Sequence, residues 1–523
     1  MAGRRLGRGF LLGGLLALTG TVAVACTPGE DSGSSAAARS SAGAKSLTIA
    51  LPTISPPFNA ATQSNTALRI TSNVFDPLIF RDPRTNKLSP GLATAWKQVA
   101  PDTWDLTIRR GVRFQDGTPM TAEDVAFSIG SQRLWGKNAL EPTTLLDSFA
   151  SVAVRDADTV RITTSYPDPA LLDRLTTQAG FVVPKRYLLG RGETYFGTHP
   201  IGTGPYKVTQ VAPGDHVTMV ADDHYWGGRP PYAGLTFRAV GEVSSRVSGL
   251  LAGQYDIVTT IPPDQTADIT GGGASADPVK VDNVVSLAFM TEQKGAPTSD
   301  PRVRQAMQLA VDRQALTSSL WKGLTTPPAG LDLPGYGAFY DPSQVPVGYD
   351  PAQAKELLRQ AGYHGQRIDL QYIRNYYTNV DAALQVMQQQ WSKAGLHVKL
   401  DPVADYTLLD YKKLNVYATS SNMAFPDPVS PMWTDWVSPA STYVASGRFQ
   451  PSGAMTDAGR TLSRSLDPAA RKAAFRDLLN DWNQAVPAIA LWQPVEIYGV
   501  RKGLSFRPDP RYWMRLAPIP SAS

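Results

Sequence analysis

Residues 91–129 read GLATAWKQVAPDTWDLTIRRGVRFQDGTPMTAEDVAFSI, and they carry the local grammar of a small strand–turn–strand–turn–helix unit. Thr103–Ile108 is rich in β-favouring side chains and predicts a strand. Arg110-Gly111 marks a turn, Val112–Phe114 a second strand, and Asp116-Gly117 a second turn. Thr121 is placed to N-cap a helix, with Asp124 at the third helical position as its capping-box acid. Trp96 and Trp104 are expected in the core. No side chain in this block is chemically reactive, so its information is organisational.

Outward from the block, the remaining body reads as layered α and β structure. Leu47–Leu51 is an apolar strand stopped by Pro52, and residues 66–80 read as a helix running into Val74–Phe80. Val303, Ala306, Met307, Ala310, Val311 and Leu316 recur at helical spacing, which predicts a helix over 302–321. Residues 351–362 and 380–395 repeat that pattern, with strands at Ile368–Ile373 and Val398–Pro402 between and after them. Alternating strands and helices argue for an α/β fold. No internal repeat is evident.

The chain has 523 residues, 44 Gly, 42 Pro and one cysteine. Its 42% hydrophobic content excludes a disordered chain. A single cysteine excludes an intramolecular disulfide framework, a Cys-rich zinc module and a CxxC redox site. The net charge of +5 and pI near 9.0 raise nucleic acid as a partner. The first residues remove that reading. Arg4, Arg5 and Arg8 precede the apolar run Phe10–Ala25, which is short for a membrane span of about 20 residues and reads as a signal peptide over 1–25. Removal of those three arginines and no acid takes the charge from +5 to +2, and no nucleic-acid partner is expected. Ala23-Val24-Ala25-Cys26 resembles a bacterial lipobox, which implies lipidation at Cys26. Residues 26–45 are small and polar and read as a flexible tether. Together these features describe an extracytoplasmic protein anchored by lipid to a cell membrane and working in the aqueous phase.

The block at 91–129 then acquires a second meaning. Gly91-Leu92-Ala93, Trp96, Thr103-Trp104, Arg109, Gly111-Val112, Phe114, Asp116-Gly117-Thr118-Pro119, Thr121-Ala122 and Asp124-Val125 resemble the fingerprint of family 5 of the extracytoplasmic solute-binding proteins, the peptide- and nickel-binding group of ABC importers. Further matches follow in the family's order: Pro200–Tyr206 (PIGTGPY), Tyr225–Pro230 (YWGGRP), Gly253–Ile257 (GQYDI), Asp300–Ala306 (DPRVRQA) and Tyr349-Asp350-Pro351. The resemblance covers roughly residues 47–520. It implies a two-lobed, type II periplasmic-binding-protein-like fold. Lobe one would hold 46–282, with an extra subdomain near 82–198, and a C-terminal return at 490–523; lobe two would hold 283–489. It also implies hinge closure around a small organic ligand, delivery to a membrane ABC permease, a monomer, and no cofactor.

Enzymatic constellations are missing. The five histidines show neither HExxH nor i,i+4 pairing, no GxSxG elbow occurs, and no carboxylate spacing singles out an acid–base pair. Catalytic residues and a metal site are therefore not expected, and a secreted hydrolase is a remote alternative. In peptide-binding members of the family an acid in a W-x-x-D-x-x-x-P stretch pairs with the peptide's amino group. Aligned on Asp427-Pro428, this chain places Ser421 at the tryptophan and Ala424 at the acid. A buried ammonium without a counter-charge is costly. A peptide or peptide-like ligand therefore stands beside non-peptide alternatives such as an oligosaccharide, a siderophore or a chelated metal. Asp427 reads as a turn residue or a shifted counter-charge. Candidate ligand contacts are Asn59 after the first strand, Arg374, Asn375, Tyr376 and Tyr377 after a lobe-two strand, Asn422, Met423, Ala424 and Trp433 around the anchor loop, and Trp492 near the second crossing.

Overall fold

A computed structural model describes residues 45–61, 64–130 and 145–520. The expected signal peptide, Cys26 and the expected tether up to residue 44 lie outside these residues. Two lobes are built on separate sheets. The first sheet has seven strands in the order Ser275–Lys280, Val495–Val500, Ile257–Val258, Leu47–Leu51, Gly234–Ala239, His216–Ala221 and Tyr206–Ala212. Leu47–Leu51 lies inside it, parallel to both neighbours, and its near-continuous apolar run suits a strand covered on both faces.

The second sheet has five strands in the order His397–Val403, Arg367–Ile373, Val416–Asn422, Asn283–Phe289 and Ala488–Trp492. Arg367–Ile373 and His397–Val403 pair in parallel, as a strand–helix–strand unit requires, through the helix Val380–Ala394. The chain passes from the first sheet to the second through Val281-Asp282 and returns through Gln493-Pro494. The two crossings are bonded to each other: Gln493 Nε2 donates to the Val281 carbonyl (3.0 Å) and Val281 N–H to the Pro494 carbonyl (2.9 Å).

The opening block folds into a separate antiparallel sheet of Ala93–Ala100, Thr103–Ile108, Thr159–Thr164 and Phe149–Val154. The helix Ala122–Gly130 covers it, with Val125 and Ile129 packed into a cluster with Leu106, Ile108, Val160 and Ile162. The capping box forms: Thr121 N–H donates to Asp124 Oδ2 (2.9 Å), and Asp124 N–H to Thr121 Oγ1 (3.3 Å). Trp96 and Trp104 are half-buried against the cluster.

Three local expectations need correction. Val112–Phe114 makes only an isolated bridge, Arg113 to Pro119, because the turn at Gly117 (φ 87°) closes too soon for a ladder to grow. The helix begun at Asn65 stops at Thr71. Pro77 disfavours helical backbone at Asp76, and Asn73 Nδ2 instead ties the segment to the Arg69 and Met514 carbonyls (3.0 and 2.7 Å). The helix expected over 302–321 is two helices, Pro301–Leu309 and Arg313–Leu320, because Asp312 caps the second by accepting from Ala315 N–H at 2.8 Å.

The motifs of the fingerprint converge on one segment, Asn73–Leu78. Gln115 Nε2 donates to the carbonyls of Val74, Gly204 and Tyr206 (3.1, 3.1 and 2.8 Å), while its Oε1 accepts from Gly202 N–H (3.0 Å). Asp76 accepts from Trp226 Nε1 (2.8 Å) and Tyr225 Oη (3.2 Å), and pairs with Arg515 at 2.8 Å. A Cβ on Gly202 would lie 2.2 Å from the Val74 carbonyl oxygen, so glycine is required by close backbone approach. The block, the GTGPY turn and the YWGG loop are parts of one scaffold that fixes the first lobe.

Candidate functional site between the lobes

The lobes are closed on one another. Asn86 Nδ2 donates to the Gly335 carbonyl (3.2 Å), the Arg174 guanidinium lies 5.2 Å from the Phe425 ring centre, and that of Arg464 lies 4.5 Å from Tyr166. One buried apolar cluster runs from Ile49 and Phe75 in the first lobe to Phe425, Trp433 and Trp436 in the second.

A group of tyrosines stands together in the second lobe. The strand Arg367–Ile373 ends in a turn in which Asn375 takes a left-handed conformation (φ 56°), held by its N–H to Asp381 Oδ2 (2.8 Å). Tyr376 and Tyr377 follow. The Tyr376 ring meets Tyr377 and Tyr406 edge-on at 4.8 and 5.2 Å, and the Tyr377 and Tyr406 hydroxyls are 3.0 Å apart. Burial pushes the Tyr377 phenol above the ordinary tyrosine range, so it stays a neutral donor and acceptor. Behind them Tyr443 stacks on Trp436 (3.9 Å, 8°), and the Arg448 guanidinium sits 3.7 Å over Tyr411.

The first lobe supplies a buried ion pair, Arg69 to Glu496 at 2.6 Å. Glu496 Oε1 also accepts from Thr260 N–H (2.7 Å) and Oγ1 (3.0 Å). Tyr498 and Tyr512 flank the guanidinium at 5.9 and 5.3 Å. Such a surface offers ring faces and neutral hydroxyls to an amphipathic ligand.

The expected contact residues scatter more widely. Tyr376 and Tyr377 lie together in this wall, with Asn375 at their turn, whereas Arg374 points to solvent. Asn59 is half-buried and its Oδ1 is buried without a hydrogen-bond partner. Asn422 is exposed at the end of its strand, opposite Asn283. Met423 is buried, its N–H bonded to the Asp282 carbonyl (2.9 Å), and Ala424 is half-buried with its N–H on Ser430 Oγ (3.1 Å). Trp433 is buried so tightly that a Cβ on Gly459 would lie 2.6 Å from its ring. Trp492 packs against Trp321 with ring centres 4.3 Å apart and planes tilted by 40°, inside the second lobe's core, against which Tyr377 also packs. Both Asp427 oxygens are held by Arg471 Nη2 at 2.7 Å, and Oδ1 also caps Val429 N–H (2.9 Å). Its carboxylate is thus committed to the fold.

Tyr406, Tyr512 and Asp282 enter the site without a local sequence signal, since each comes from a loop or chain crossing that only the fold brings to the cleft. A pocket of about 290 Å³ opens beside the crossings, lined by Asp282, Lys280, Arg84, Gly335, Gln493 and four prolines. Among the described residues, no cluster of three or more His, Cys, Asp or Glu side chains could hold a metal ion, and no helix is long and apolar enough to cross a membrane.

Known proteins share this architecture. The ABC transporter-associated periplasmic binding protein DppA from Helicobacter pylori, solved with the peptide STSA, superposes with a TM-score of 0.79 at 19% identity, covering 90% of this chain and 97% of its own. AgaA from A. tumefacien R10, solved with agropinic acid, gives 0.77 at 22% identity over 90% and 97%. NikZ from Campylobacter jejuni, solved with Ni(L-His), gives 0.76 at 21% over 88% and 94%. In sequence, the glutathione-binding protein GsiB of Salmonella choleraesuis is 29% identical over 299 residues. That match covers 57% of this chain and 57% of GsiB, so the chain spans little more than half the length of the curated relatives it matches. Residues 87–443 match the family described as bacterial extracellular solute-binding proteins, family 5 Middle. With two lobes, paired crossings and a converging fingerprint already in place, this chain belongs to family 5 of the bacterial extracellular solute-binding proteins.

Proposed function

We propose that the protein is the substrate-binding receptor of an ABC importer, lipid-anchored through Cys26 outside the cell, monomeric, and without enzymatic turnover. It captures a small organic ligand, a peptide or peptide-like molecule first, by closure of the two lobes, and presents the closed form to a membrane permease. The observation that carries this reading is the tyrosine wall of the second lobe, beside a cleft that contacts from both lobes close. A ligand that bridges the two walls favours the closed state through contacts the open state lacks. Catalysis would need an activated nucleophile or an acid–base pair. The cleft acids Glu496 and Asp427 are instead each locked to an arginine.

Mass spectrometry of ligand carried through native purification, followed by calorimetric titration, tests the receptor reading. Saturable binding with a fall in radius of gyration is expected, and hydrolysis of the bound compound abolished by a cleft substitution would replace it. For the anchor, Cys26→Ser should move the protein from the membrane fraction to the soluble one. Retention of the variant in membranes would defeat the lipid attachment.

A further inference from the structure

Both chain crossings leave the second lobe's sheet from one edge. Asn283 begins its strand just after Val281-Asp282, and Trp492 ends its own just before Gln493-Pro494. Asn422, the last residue of its strand, lies opposite Asn283. Arg367–Ile373 runs parallel to that strand and to His397–Val403, so all three carboxyl ends finish at this same edge. Open α/β sheets place ligands at the carboxyl ends of their strands. The tyrosine wall is built there: Tyr376 and Tyr377 follow Ile373, and Tyr406 follows Val403, with Tyr376 55% and Tyr406 38% exposed. Tyr377 packs against the core that holds Val285, whose side chain shares a sheet face with that of Asn283. Asn283 is itself only 5% exposed. Its Nδ2 donates to Ser420 Oγ (3.1 Å), and its Oδ1 is buried without a hydrogen bond from any described residue. A buried acceptor left unbonded is costly, and a donor on a ligand would satisfy it. The charged groups of these turns are engaged or exposed. Asp381 accepts from Tyr372 Oη (3.1 Å) and Asn375 N–H (2.8 Å), Asp405 accepts from Thr407 N–H (2.8 Å), and Arg374 is exposed.

We infer that this edge is a subsite for an uncharged, hydroxyl-bearing ring of the pyranose type, stacked on Tyr376 and hydrogen-bonded by Asn283 Oδ1, Ser420, Asn422 and the Tyr406 hydroxyl. Such a ring reaches the cleft either as a free oligosaccharide or as a sugar carried on a peptide-like molecule. The inference rests on the receptor reading and names the ligand class for it. A sugar presents a C–H face that packs on an aromatic ring, and hydroxyls that each donate and accept. Amide and hydroxyl side chains answer both roles. An ammonium or carboxylate placed here would lose water beside neutral groups. An alkyl group of the same size would leave Asn283 Oδ1 unbonded, which a site built for a hydroxyl penalises. Tyr377 and Tyr406 hold the Tyr376 ring edge-on, so its orientation is set before a ligand arrives.

The test uses the full-length chain and calorimetry with di- and trisaccharides of glucose and of N-acetylglucosamine, a tripeptide carrying glucose on a serine, and the same tripeptide without the sugar. Sugar-bearing compounds should bind, and the bare tripeptide should bind about tenfold more weakly or not at all. Binding by the free saccharides identifies the first source, and binding by the glycosylated tripeptide alone identifies the second. Tyr376→Ala should weaken the sugar-bearing compounds about three- to tenfold, whereas Tyr376→Phe, which keeps the ring, should retain most of the affinity. Asn283→Ala should weaken them about tenfold and leave any binding of the bare tripeptide unchanged. Because Tyr376 is exposed, its variants decide the matter if Asn283→Ala fails to fold. Equal binding of the two tripeptides without saccharide binding, unchanged affinity in Tyr376→Ala or in a folded Asn283→Ala, or no binding by any panel member would overturn the inference. A copurified ligand that lacks a hydroxylated ring and still drives closure would overturn it and leave the receptor reading intact; no ligand-driven closure of any kind would remove both.

Discussion

Asp427 and Asp282 are acids with opposite circumstances. Asp427 is buried and bidentate on Arg471, which is itself only 6% exposed, so removing either partner strands a buried charge. Asp427→Ala should cost about 3–5 kcal/mol of unfolding free energy, measured by urea denaturation, with ligand preference unchanged in whatever protein remains folded. Asp282 has no such partner. Its carboxyl is raised from 3.8 to about 7, so the native state holds this proton more tightly than the unfolded chain does. Its contribution to stability is full below about pH 4 and is lost as the pH rises through about 7. Asp282→Asn cannot ionise. It should melt above the wild type near pH 8 and together with it near pH 4, in paired thermal scans without ligand. A constant gap across that range would show that the acid's ionisation is not responsible.

At the scale of elements, what matters is where helices stop. The periodicity of 302–321 is continuous because both Pro301–Leu309 and Arg313–Leu320 bury a face in the second lobe's core. The break is made by Asp312, whose carboxylate caps the second helix, while Arg313 Nη1 reaches the Ala490 carbonyl at 2.6 Å. Loss of the cap in Asp312→Ala should cost about 0.5–2 kcal/mol, read as a shift in denaturation midpoint at constant slope. An unchanged midpoint would mean that tertiary contacts alone set the break. The same logic governs the turn after Arg367–Ile373. Asn375 accepts the left-handed conformation that asparagine tolerates, and the Asp381 side chain fixes its N–H. The wall made by Tyr376 and Tyr377 follows from that turn.

At the scale of the molecule, closure also involves side-chain contacts away from the crossings. Arg464 lies over Tyr166 and Arg174 over Phe425, each joining one lobe to the other. A cation–π contact at a partly exposed site is worth about 0.5–1 kcal/mol, so Tyr166→Ala should weaken ligand binding by about two- to fivefold. Tyr166→Phe, which keeps the ring, should restore it. Small-angle scattering should find the Ala variant more open without ligand. Equal affinity and equal radius of gyration in all three proteins would show that this contact does not hold the lobes together.

Much of this architecture is legible along the chain because it depends on local chemistry. Apolar runs make strands, Thr121 and Asp124 make a cap, and the fingerprint from Gly91 to Val125 marks a scaffold in which close backbone contact requires Gly91 and left-handed backbone favours Gly111 and Gly117. The cleft depends on something else. Trp492 and Tyr376 are both aromatic residues beside chain turns, yet one packs into a core against Trp321 and the other stands 55% exposed at the tyrosine wall. Spacing cannot separate them, because burial is decided by which sheets and loops meet. Asp282 makes the same point: in sequence it is an ordinary acid before a strand. Sequence alone determined the family fold and its local elements, whose signals lie near in the chain. Only the tertiary structure decided which side chains share the cleft, because that space is enclosed by segments hundreds of residues apart.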